Sequence, residues 1–77
     1  DFEPNLIPRL ERAAFHASEV ITLLLSAASS YRSGVAAADF ATASEAFNMA
    51  VEHIGEAIGS NLNLAQIMQQ LQMEIAQ

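Results

Sequence analysis

Apolar residues recur along this chain every three or four positions, and two short breaks, Ser33-Gly34 and Gly59-Ser60, divide the pattern into three segments. Spacing of that kind places apolar side chains on one side of an α-helix. The expected fold is therefore all-α, and the breaks set how many helices to expect.

In the first segment Asn5 is a plausible N-cap, and Pro8 falls in the first turn, where its missing N–H costs nothing. The apolar stripe runs Leu6, Leu10, Ala13, Ala14, Ala17, Val20, Ile21, Leu24, Ala28 and Tyr31, and Gly34 stands where a left-handed residue would end the helix. The second segment starts at Asp39 or at the Thr42-x-x-Glu45 capping box, carries Phe40, Ala43, Phe47, Ala50, Val51, Ile54 and Ile58, and stops at Gly59. The third opens with Asn63 as N-cap, with Leu62 and Ile67 spaced as a hydrophobic staple and Leu64, Met68, Leu71 and Ile75 continuing inward.

These stripes predict a small antiparallel bundle of three main helices, near residues 6–32, 40–58 and 64–76, in a single helical domain over 1–77. Phe47, Val51, Ile54, Leu24, Ile21, Ile67 and Leu71 are expected to be buried together. The first helix is about twice the third, so part of its stripe lacks a cover within the chain, and four-helix closure needs a further helix from another copy, another chain or flanking sequence. Phe15 and Leu23 fall off the main stripe and point to a second contact surface. Apolar residues make up 52% of the chain, enough to fold, but 15 of the 77 residues are Ala, which bury little area each. The chain opens Asp-Phe-Glu-Pro and ends inside a helical pattern, so it is expected to be a piece of a longer protein.

The charge balance excludes several partners. Nine acids face three arginines and no lysine, for a net charge of −6. Phosphate neutralisation needs clustered Lys or Arg, so neither nucleic acid nor an anionic membrane surface is an expected partner. Without cysteine there is no disulfide framework or cysteinyl metal site. The run Val20 to Leu25 is far too short to span a bilayer.

Chemistry finds no constellation. His16-x-x-Glu19 and His53-x-x-Glu56 each place a histidine and a carboxylate on one helical face, a spacing that two ligands of a metal would use. Carboxylate-bridged bundles use the reverse order, Glu-x-x-His, and both pairs are expected to project away from the core. No metal and no cofactor are expected. None of the seven serines sits in a Gly-x-Ser-x-Gly elbow, and the three glycines are isolated, so neither a nucleophile nor a phosphate loop is expected. Glu45, Glu52 and Glu56 form an acidic face on the second helix. At an interface such carboxylates would repel, and the repulsion would ease as pH falls.

The stretch Ser29 to Phe47 resembles the helical, non-crystalline domains of spider silk proteins, which are rich in Ala and Ser and poor in Lys. The run Ala46-Phe47-Asn48-Met49-Ala50 is similar to a helix of their terminal domains. The resemblance implies a secreted helical unit that stores silk protein and helps it assemble, and it carries no functional residue with it. The function expected is a non-enzymatic structural, self-assembling module whose partners are proteins. The competing expectation is a docking, adaptor or chaperone-like bundle within a larger assembly or secretion system, with a cytoplasmic location as the alternative to secretion.

Overall fold

The computed structural model describes residues 5–76. They form two helices, α1 over Leu6–Ala36 and α2 over Phe40–Ala76, packed against each other as an antiparallel hairpin. The hairpin measures 62 × 14 × 12 Å. The chain is all-α, as the periodicity predicts, but it has two long helices in place of three.

The correction falls at the second break. Gly59 and Ser60 lie inside α2, as do Gly55 and the expected N-cap Asn63. No described residue has the positive φ that a left-handed helix stop requires. An interior glycine costs a helix about 1 kcal/mol relative to alanine. Here the residues touching α1 continue in register across the break, through Ala57, Ser60 and Leu64, and that packing offsets the cost. Gly34 does not end α1 either. It is buried against α2, and a Cβ built on it would run into the Phe47 ring. The residue is small because another side chain occupies the space, and helix termination plays no part.

Residues 37–39 make the turn. Ala37 leaves α1 in an extended conformation, with its N–H on the Gly34 carbonyl at 3.3 Å. Asp39 then caps α2: Oδ1 accepts the Thr42 backbone N–H at 2.9 Å and Oδ2 accepts the Thr42 hydroxyl at 3.0 Å. Of the two expected starts, Asp39 is the one used. Asn5, at the head of α1, makes no side-chain cap bond.

The helices meet along a strict three–four repeat. On α1 the seam positions are 6, 9, 13, 16, 20, 23, 27, 30 and 34, and on α2 they are 43, 46, 50, 53, 57, 60, 64, 67 and 71; all eighteen are buried or half-buried. A mean spacing of 3.5 residues keeps a seam facing its partner along the whole length, as in a coiled coil. Near the turn the seam is Ala, Ser and Gly, so the backbones approach closely. Toward the open end Val20, Leu23, Leu64, Ile67 and Leu71 fill it. Arg9 Nη1 and Glu74 Oε2 close that end at 2.6 Å.

The resulting core is thin. Its buried apolar residues are Ala13, Ala27, Ala50, Ala57 and Leu71, and no large described side chain is fully buried. Of the seven residues expected to be buried together, Leu71 is buried and Phe47 and Ile67 are half-buried, while Ile21, Leu24, Val51 and Ile54 are exposed. The reason is geometric: a helix with one neighbour buries a narrow seam, whereas the expected bundle would have covered the adjacent face as well.

Candidate functional site

One residue beyond each seam position lies a second repeat with the same spacing. It runs through 7, 10, 14, 17, 21, 24, 28, 31 and 35 on α1, and through 40, 44, 47, 51, 54, 58, 61, 65, 68, 72 and 75 on α2. A step of one residue turns the side chain by about 100° around the helix axis. Because the helices run antiparallel, that turn carries both sets to the same broad side of the hairpin. The Tyr31 and Phe47 rings confirm it, lying side by side across the two helices with centroids 5.3 Å apart.

This side carries no charged residue at any of its positions. It holds twelve large apolar side chains that are between 44% and 87% exposed, from Ile7 and Ile75 at the open end to Phe40 at the turn. Only five other exposed large apolar residues occur among those described: Phe15, Leu25, Met49, Leu62 and Met73. Scattered exposed apolar residues are ordinary on any protein. A continuous uncharged apolar face along the whole length of the hairpin is larger than such scatter.

The opposite side is polar. Phe15, Ser18, Glu19, Thr22 and Leu23 of α1, with Glu56 and Ser60 of α2, line a shallow groove of about 370 Å³ there. Phe15 is exposed and sits edge-on to His16 with centroids 5.9 Å apart, while Leu23 is a half-buried seam residue. Glu45, Glu52 and Glu56 are all exposed at positions outside the uncharged face. A second shallow depression, at Asn61, Leu64, Ala65, Met68, Gln69 and Gln72, runs along the α2 half of the apolar face.

Both histidines are placed differently from expectation. His16 and His53 are seam residues, half-buried between the helices, because the three–four repeat passes through them. His16 Nδ1 lies 3.1 Å from Glu19 Oε1. His53 Nδ1 is 3.9 Å from Glu56 Oε1, beyond hydrogen-bond range, and is buried without a hydrogen-bond partner among the described residues. Arg9 meets Glu74 at one end and Gly34 faces Phe47 near the other, which sets the level of every residue between. His53 is then level with residues 28–29 of α1, twelve or thirteen residues from His16 and about 18–20 Å along the axis. No group of three or more His, Cys, Asp or Glu residues comes together to hold a metal among the described residues.

Among the described residues, Asp39 is the one group whose acidity is clearly altered. The Thr42 backbone N–H, then the Thr42 hydroxyl, hold its carboxyl below the ordinary value against a small opposing effect of burial, with a further contribution from the Ala41 N–H. That is the signature of a helix cap, not of a proton-transfer group. No described helix is long and apolar enough to cross a membrane.

Set against family models, curated proteins and solved structures, the chain matches none.

Proposed function

We propose that this chain is a non-enzymatic assembly module that works by packing its uncharged apolar face against other helices, another copy of itself included. The observation that carries the reading is the face: twelve exposed large apolar side chains on one side of a hairpin in which no large side chain among the described residues is fully buried. Surface accounting agrees. A compact monomer of 8.3 kDa exposes about 4,600 Å². The hairpin exposes 5889 Å², an excess of about 1,300 Å². Its radius of gyration, 17.5 Å, compares with about 11–12 Å for a compact domain of this length.

The resemblance of Ser29 to Phe47 to silk domains offers one setting for such a module. Ala/Gly/Ser-rich repeats flanking this unit in its gene would support that setting, and flanking enzymatic domains would point to a docking role instead. The reading itself is tested with Leu24→Asp and Ile58→Asp combined, which place charge in the middle of the face and leave the seam intact. Size-exclusion chromatography should show association of the unaltered chain and its loss in the variant, with helical content retained at the concentration of the assay. Equal elution of the two would count against the face.

A further inference from the structure

We propose that the face is occupied by a second copy of this chain, related by a two-fold axis perpendicular to the helices, so that the turns lie at opposite ends of a four-helix bundle. The inference rests on the assembly reading above and adds the partner and its orientation.

Area comes first. A stable interface takes about 800 Å² from each partner. A large apolar side chain carries on the order of 150–250 Å², so twelve at 44–87% exposure supply on the order of 1,200 Å². A second identical face satisfies that area with no third component, and neither face brings a charge into the contact.

Two symmetric packings bring the faces together with neighbouring helices antiparallel, and side-chain size separates them. If the two turns lay at the same end, every level of the face would meet itself. Ala17 and Ala65 share a level, so four alanines would meet and leave a void, while Leu24 and Ile58, two levels further toward the turn, would crowd four large side chains into one level. With the turns at opposite ends and the faces fully overlapped, the centre falls at Ile21 and Asn61. Ala17 then meets Leu24 of the partner subunit, and Ala65 meets the partner subunit's Ile58, small against large at both places. Asn61, one of few polar residues on the face, meets its own copy across the axis, where two side-chain amides can bond to each other.

Charge selects the same packing. Glu11 and Arg32 are exposed on the outer flank of α1 beside the face. With the turns at opposite ends, α1 lies against the partner's α1, and Glu11 comes level with Arg32 of the partner subunit, twice by symmetry. With the turns together, α1 lies against the partner's α2, whose matching flank positions, 48, 55, 62 and 69, are uncharged.

The test uses the absence of cysteine, which lets one introduced thiol report alone. Ala38→Cys lies in the turn and takes a spin label, and double electron–electron resonance reads the label-to-label distance in the associated protein. Residue 38 is 17 residues from the centre at Ile21, so the opposed packing predicts about 50 Å between turns. The alternative packing predicts roughly 10–20 Å. In a second reading, Ile21→Cys should form a disulfide with its own copy. A two-chain species with the long distance and the Ile21→Cys cross-link supports the proposal. A two-chain species with the short distance overturns this packing and leaves the assembly reading standing. A chain that stays single, or assembles in any other number, overturns the proposal, and the single chain removes self-assembly with it.

Discussion

Replacing Ala57 by leucine tests whether the two helices touch where the hairpin geometry says they do. Ala57 is 3% exposed and sits in the seam between the levels of Leu23 and Ala27, flanked by Ser60 and His53. Three extra carbons at a seam position only 3% exposed push the helices apart, force a strained rotamer or bend the side chain toward the shallow groove beside Leu23, Glu56 and Ser60. Overpacking of this kind costs about 1–3 kcal/mol. Helix propensity barely opposes it, since leucine is within a few tenths of a kcal/mol of alanine. For a chain of 77 residues, each kcal/mol lowers the melting temperature by about 4–8 °C. The expected loss is therefore about 4 °C at least and up to about 24 °C, read by circular dichroism at fixed chain concentration. Ala41→Leu, the same change at an exposed position in the first turn of α2, controls for propensity and should move the midpoint by less than about 2 °C. A midpoint unchanged or raised by Ala57→Leu would refute the close small-residue seam.

Other expectations follow from single residues. Asp39→Ala should lower the melting temperature and remove the acid sensitivity the cap supplies. Because the folded carboxyl titrates below its ordinary value, its contribution is full above the ordinary range and fades as pH falls through and below it, so the gap between native and variant should close in acid. Gly34→Ala should gain about 1 kcal/mol in helix propensity but displace the Phe47 ring from Tyr31, so tyrosine fluorescence should change and the net stability should fall by about 1 kcal/mol; a net gain would show that Phe47 moves freely. Adding salt at pH 7 should tighten self-association, because each copy carries a charge of −6 and screening relieves the repulsion; weaker association in salt would put charge pairs, not apolar contact, at the centre of the interface.

The all-α class was legible in the sequence because its apolar spacing is helical throughout. The number of helices was not. Gly59-Ser60 and Asn63 carry every local mark of a stop and a restart, yet the seam through Ala57, Ser60 and Leu64 runs past them, and tertiary packing outweighs a preference worth about 1 kcal/mol. Gly34 misled in the other direction, since its smallness answers to Phe47 rather than to a helix end. The exposed apolar face is visible in the sequence but reads as core. The broad α1 stripe mixes two repeats one residue apart: Ala13 and Val20 belong to the seam, and Leu10, Ala17, Ile21, Leu24 and Tyr31 to the exposed face. Each repeat keeps strict three–four spacing, and only the second excludes charge and gathers the large side chains. The histidines were placed outward because a seam of Ala, Ser and His does not look like a core; in a narrow two-helix contact, small and mixed residues are what fits.

Sedimentation equilibrium on the unaltered chain, over a wide range of concentration at neutral pH and moderate salt, tests the central claim most directly. The mass should rise from 8.3 kDa toward twice that value and then hold. A mass fixed at 8.3 kDa across the whole range would contradict it, because the apolar face would then be stable in water without a partner.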